Sequence, residues 1–190
     1  ITQLIESYIA TKASPLTDAL ALPALESALN TLVPLCTTGL ADTGLRGAMA
    51  LAAFTSGVTL ANAGLGLCHG IAGPLGGFFP VPHGIACANI MVPALDYTVR
   101  QLRSRDDGVT LVKLARAGRS VGAPEGEPLS MAEHLVRTLE AWTVDLGIPR
   151  LGRFGIRDSD VERIAAACDA KNSPVRADAD AIASIISSRL

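Results

Sequence analysis

Apolar residues along this chain recur mostly at spacings of three and four, the period of a helix. Leu4, Ile5, Tyr8 and Ile9 form such a stripe and predict a helix over Ile1–Ala13. Ser14-Pro15 ends it and opens a second helix, since proline is tolerated in a first turn. That helix is expected over Leu16–Cys36, bent or divided by Pro23 and Pro34 and stopped at Gly39. A third is expected over Thr43–Ala63, where Gly64 and Gly66 interrupt it. A short helix should follow, then a loop through Gly76–Pro82, then a helix over His83–Leu102. Past Arg105 the pattern is that of surface helices. Val109–Val121 is one, and Ser130–Glu133 reads as a capping box opening another that ends at Leu146 before Gly147 and Pro149. A second capping box, Ser159–Glu162, leads to a helix ending near Ala170, and Asp178 caps a last one, Ala179–Leu190.

No segment alternates as a strand does, and no G-x-G-x-x-G follows one. The fold expected is therefore all-α, with residues 1–190 forming a single multi-helix domain without a dinucleotide-binding unit of its own. Alanine and leucine carry the hydrophobicity, and aromatics make up only 4% of the chain. Between Arg46 and Arg100 the only formal charge is Asp96. This predicts that the first half is interior and the second half its wrapping. The net charge of −2 offers no surface for nucleic acid. Gly47–Cys68 is uncharged and long enough to span a bilayer, but polar residues and glycines dilute it and no basic flank or aromatic belt bounds it; a buried helix is expected rather than a membrane segment. Cys36, Cys68, Cys87 and Cys168 form no C-x-x-C pair and predict reduced, buried thiols in a cytoplasmic protein. The chain begins without Met and without a signal peptide, in what reads as mid-helix, so a piece of a longer protein is expected.

Two of only three histidines, His69 and His83, stand in the most glycine-rich stretch, GLGLCHGIAGPLGGFFPVPHG. A helical turn, a bend and a helix start separate them, so two backbone segments can aim both imidazoles at one point, as helical metal sites require. Neutral imidazole suits Zn, Fe and Ni. The alternative is that each is a core or cap histidine satisfied by backbone. Cys68 adjoins His69, and Cys87 follows His83 by one turn on the same face; their spacing matches no structural zinc pattern, and both are expected as small buried residues near the cleft. His134, on a charged helix, is expected at the surface, and Trp142 as an anchor of the outer helix. Phe78 and Phe79 wall a pocket or cover the core.

The run NAGLGLCHGIAGPLGGFFPVPHGIACANIMVP, residues 62–93, resembles the signature of the iron-containing alcohol dehydrogenases. Asn62, Ala63, Leu65, Gly66, His69, Leu75, Gly76, Pro82, His83, Gly84, Met91–Val92 and Pro93 fall in register with it. Residues 1–22 and the C-terminal stretch from Leu146 are similar to that family too, so the likeness covers nearly the whole chain. The resemblance implies an N-terminal nucleotide-binding α/β domain, absent from this chain, and a helical C-terminal domain, to which the chain corresponds. It implies a divalent metal (Fe, or Zn or Ni in its place) held in the cleft by an Asp, a His one turn later and two further His, with NAD or NADP as cofactor. His69 and His83 match the last two ligands. Gln3 stands where the His of the Asp-x-x-x-His pair would be, and the Asp would lie two residues before Ile1. Gly73 stands where a second motif histidine lies near the nicotinamide in many members.

The function implied is hydride transfer between an alcohol or aldehyde and NAD(P), with the metal acting as a Lewis acid on the substrate oxygen. The candidate site is then His69, His83 and Gln3 at the metal and Gly73 at the cofactor, in a homo-oligomer that binds neither nucleic acid nor membrane. The rival is a non-catalytic helical module for oligomerisation or partner binding, in which Gln3 and Gly73 mark a lapsed metal site.

Overall fold

The computed structural model describes residues 1–105 and 108–190, and among them there are helices and loops but no strand. The helices are α1 (Thr2–Ile9), α2 (Pro15–Thr37), α3 (Thr43–Ala63), α4 (Leu67–Phe78), α5 (His83–Arg103), α6 (Gly108–Ser120), α7 (Pro128–Asp145), α8 (Asp158–Ala166) and α9 (Ala179–Ser187). A short 3-10 turn, Leu151–Phe154, which the periodicity did not reveal, lies between α7 and α8.

The central element is α5, which serves two cores from two stretches of its length. Ala86, Cys87, Ile90 and Ala94 pack with α4, α8 and α9. Val92, Leu95, Val99 and Leu102 pack with α1, α2, α6 and α7. The candidate chemistry lies at the first turn of α5, where α1 and α4 also arrive.

Several boundaries differ from the sequence reading, each for a local reason. Helix α1 stops at Ile9 because Ala10 is extended and the Thr11 N–H donates to the Asn172 carbonyl at 2.9 Å. Helix α2 is continuous through Pro23 and Pro34. Both prolines lie on the exposed face, opposite Ala21, Leu25 and Ala28, so water can solvate the carbonyls they leave unpaired. Ser14 caps it, exchanging hydrogen bonds with Thr17. Helix α4 runs on to Phe78, leaving only a short loop before His83. Helix α7 begins at Pro128, whose fixed φ suits a first turn, so Ser130 lies inside the helix and forms no capping box. At α8 the Arg157 N–H donates to Asp160, two positions ahead of the expected box, and the helix ends at Ala166. Asp178 caps α9 as expected, accepting from the Ala181 N–H at 2.9 Å.

The division into an apolar interior half and a charged wrapping needs correction. Helix α3 buries only small residues, Ala52, Ser56, Thr59 and Ala63, against α1 and α2, and leaves Leu51 and Phe54 exposed. It bends into α4 by 102°, at Gly64, whose φ of 78° favours glycine. Helix α2 is the single described helix long and apolar enough on its own to cross a bilayer, a test of length and composition alone. Of the four unpaired thiols, Cys68 and Cys87 are buried and Cys168 half-buried, but Cys36 is exposed at the end of α2. His134 is half-buried, its Nε2 paired with the Val121 carbonyl at 3.2 Å, rather than free at the surface. Trp142 packs against the α1–α7 core as expected.

Candidate metal centre

Helix α4 begins at Gly66, which has no side chain to cap the free N–H groups of the first turn. Glu6, projecting from α1, takes that role across the interface. Its Oε1 accepts from the Cys68 N–H at 2.6 Å and its Oε2 from the His69 N–H at 3.3 Å. The same Oε2 lies 2.5 Å from His69 Nδ1. One carboxylate therefore caps a helix, opposes its dipole and fixes an imidazole. A carboxylate on Nδ1 holds the proton there and turns the Nε2 lone pair outward, the arrangement that orients metal-binding histidines.

His69 Nε2 faces the first turn of α5. His83 opens that helix and Cys87 follows one turn later on the same side. The two imidazole centroids are 5.5 Å apart, tilted by 51°. The Cys87 thiol sits between them, with Sγ 3.5 Å from His69 Nε2 and 3.5 Å from His83 Nε2. The fold thus brings His69 and His83 together, with Cys87 between them. Cys68 lies behind, its thiol donating to the Cys87 carbonyl at 3.4 Å. The sulfurs of both cysteines and a His69 nitrogen are all within 4.8 Å of one another.

The electrostatics follow from this packing. Burial opposes charge on His69, but the hydrogen bonds to Cys87 and Glu6 outweigh it and raise its pKa to about 9. The neighbouring Cys68 thiol lowers Cys87 to about 5 against the effect of burial, and His69 and His83 add to the lowering. Burial pushes Cys68 well up, so it stays a neutral thiol. These shifts favour a Cys87 thiolate beside a protonated His69; a divalent ion that displaced the proton between them would meet thiolate and imidazole, a donor set that fits a borderline ion such as zinc.

Gln3 lies on α1 one turn before Glu6, and its Oε1 accepts from the Ser56 hydroxyl at 2.7 Å. Gly73 is exposed on α4, with nothing within 4 Å of where a Cβ would stand. Phe78 and Phe79 flank Arg163, whose guanidinium stacks at 4.9 and 5.7 Å from their rings. An apolar cleft of about 630 Å³ opens beside His83, lined by Gly84, Ala88, Met91, Met49, Trp142 and Ile148 among others. Sequence reasoning passed over Glu6, although a signal existed. It is the only carboxylate before Asp18 and stands within the apolar stripe of α1, where an unpaired charge would be costly.

The family model described as "Fe-containing alcohol dehydrogenase family, C-terminal" matches residues 1–190. The chain belongs to the iron-containing alcohol dehydrogenase family. Among relatives of this family, lactaldehyde reductase of Escherichia coli K12 is 35% identical over 170 residues, covering 88% of this chain and 42% of the relative. NAD-dependent methanol dehydrogenase of Bacillus methanolicus is 31% identical over 169 residues, covering 87% of this chain and 42% of the relative. The crystal structure of a 1,3-propanediol oxidoreductase superposes on the whole chain with a TM-score of 0.87 at 28% identity, the match taking up 49% of that chain. The chain thus corresponds to the C-terminal, helical part of the iron-containing alcohol dehydrogenases and spans less than half the length of these relatives.

Proposed function

We propose that this chain is the metal-holding half of an NAD(P)-linked dehydrogenase that interconverts small alcohols and aldehydes. The observation that carries the proposal is the convergence of His69 and His83 on one thiol-lined point, with Glu6 fixing the His69 tautomer. A divalent ion bound there would supply Lewis acidity toward a substrate oxygen. The chain's own residues do the rest of the local work. Glu6 holds His69 with Nε2 directed at the point of convergence. Gly84, next to His83 in the first turn of α5, lines the cleft, and Met49, Met91 and Trp142 give it an apolar lining suited to a short aliphatic group. Gly73, with open space above it, leaves room for a nicotinamide carried by an α/β domain. The relatives' names, which speak of lactaldehyde, methanol and NAD, support a small alcohol or aldehyde as substrate and NAD as cofactor. The proposal includes a cytoplasmic, self-associating protein, in keeping with four unpaired cysteines.

Equilibrium dialysis against Fe(II), Zn(II) and Ni(II) tests this reading. One equivalent should bind, and His69→Ala and His83→Ala should each abolish binding. Joined to a nucleotide-binding domain, the same chain should turn over alcohols with NAD or NADP. The chain by itself should not, since its described residues contain no strand to build a dinucleotide-binding unit. A second reading, a helical module with a lapsed metal site, draws on Gln3 being occupied by Ser56. A folded protein that binds none of the three ions would favour it.

A further inference from the structure

Gln3 is engaged elsewhere, and what stands between the two imidazoles is a sulfur. We propose that Cys87, as a thiolate, is the third protein ligand of the centre, completing a His69–His83–Cys87 set that selects zinc-class ions over iron. The inference rests on the reading that His69 and His83 hold a metal, and it adds the ligand and the selectivity.

Geometry supports it at two points. With zinc–sulfur near 2.3 Å and zinc–nitrogen near 2.1 Å, the sulfur–nitrogen edge of a tetrahedral site is about 3.6 Å. Cys87 Sγ lies 3.5 Å from each Nε2. Two imidazoles bound through Nε2 to the same tetrahedral ion place their centroids about 5.2 Å apart, and those of His69 and His83 are 5.5 Å apart. The Cys87 sulfur therefore stands near a shared-ligand distance from each imidazole before any ion arrives. His83 and Cys87 are one turn apart on α5, so a single rigid helix fixes two of them. Glu6 fixes the third.

The other sulfur is near but engaged. Cys68 donates its proton to the Cys87 carbonyl, which leaves it a neutral thiol behind the site. His69, His83 and Cys87 supply three donors from the described residues, so a tetrahedral ion held by them has a further corner for another ligand or a substrate oxygen. Thiolate is a softer donor than a glutamine oxygen and shifts preference toward Zn(II) and its spectroscopic substitute Co(II). On binding, the proton held between Cys87 Sγ and His69 Nε2 leaves to solvent, and each atom turns an electron pair to the metal.

The experiment is Co(II) titration of the purified chain, read by absorption, with Zn(II) competition and thiol alkylation mapped by mass spectrometry. One equivalent of Co(II) should produce a near-ultraviolet thiolate-to-cobalt band, and Zn(II) should abolish it and protect Cys87 from alkylation. Cys87→Ser should lose the band and weaken Zn(II) binding by more than about a hundredfold, beyond what the loss of an outer-sphere partner costs. Cys68→Ser and Gln3→Ala should keep both. Far-ultraviolet circular dichroism checks that each variant is folded. One equivalent of Co(II) bound without the band, or a band that follows Cys68 instead, overturns the assignment of Cys87 while the histidine site stands. No stoichiometric Co(II) in the folded wild-type chain overturns both.

Discussion

Helices α3 and α4 are consecutive, carry a single formal charge, Arg46, besides His69, are rich in alanine, glycine and leucine, and are joined by a glycine bend, yet they meet opposite fates. Helix α4 is enclosed: Leu67, Cys68, His69, Gly70, Ile71, Ala72 and Leu75 are all buried. Helix α3 lies along the outside, burying a seam of small residues and leaving Leu51 at 66% and Phe54 at 72% exposure. The contrast shows that apolar composition establishes that a segment can be buried, not that it is. What separates the two is the partners each finds. Helix α4 meets α5, α8 and a carboxylate from α1, whereas α3 meets α1 and α2 on one side only. The candidate metal centre draws His69 from the enclosed helix, where low dielectric strengthens the Glu6–His69 contact.

The largest effect should separate the two helices most clearly. Leu75→Ala removes a fully buried side chain of α4 and should destabilise the protein by about 2–5 kcal/mol. Leu51→Ala in α3 should change stability by no more than about 0.5 kcal/mol. Urea denaturation of both variants makes the comparison, and equal losses would mean that the outer face of α3 is covered in solution. Next is Gly70→Ala. A Cβ there would overlap the Asp169 backbone carbonyl, which cannot swing aside as a side chain does, so a loss of about 1–3 kcal/mol is expected. A melting temperature equal to that of the wild type would show that the 169 loop yields.

Glu6→Gln tests what ties α1 to α4. It keeps the shape but removes the charge, and should cost about 1 kcal/mol in the metal-free protein. The pH dependence should change as well. His69, raised from 6.5 to about 9, contributes stability in full below pH 6.5 and loses it as pH rises through 9. In Glu6→Gln that decline should be shallower when unfolding is followed from pH 6 to pH 10. An unchanged profile would place the origin of the raised value elsewhere. The smallest effect is a gain. Gly57, mid-helix in α3, has nothing within 4 Å of a Cβ position, so Gly57→Ala should stabilise by about 0.5–1 kcal/mol, opposite in sign to Gly70→Ala. Matched thermal melts of those two variants reduce the whole contrast to one methyl group in each helix.

Much of the architecture was legible from local signals because its determinants are local. The stripe of α1, the span of α3, the start of α5 at His83 and the Asp178 cap are consequences of periodicity and capping within a few residues. The family likeness and the opposition of His69 to His83 were legible too, through a glycine- and histidine-bearing run whose spacing admits few arrangements. Glu6 and Cys87 were present as residue types, but their roles depend on contacts spanning 63 and 18 positions, which no local pattern encodes. The continuity of α2 through two prolines likewise depended on which face turned outward.

The sequence by itself determined that this protein is helical, that glycines break it at the α3–α4 bend, and that two imidazoles are available at one end of α4 and α5. Backbone hydrogen bonding and side-chain period are settled within a turn or two, so those results need no knowledge of the rest of the chain. Only the tertiary structure decided which apolar helix is enclosed, that a carboxylate from α1 caps α4 and aims His69, and that Gln3 turns to Ser56 while a thiol occupies the space between the histidines. Each of these is a choice among partners distant along the chain. Such choices are made by the joint packing of several helices, where burying one group changes the cost of burying the next.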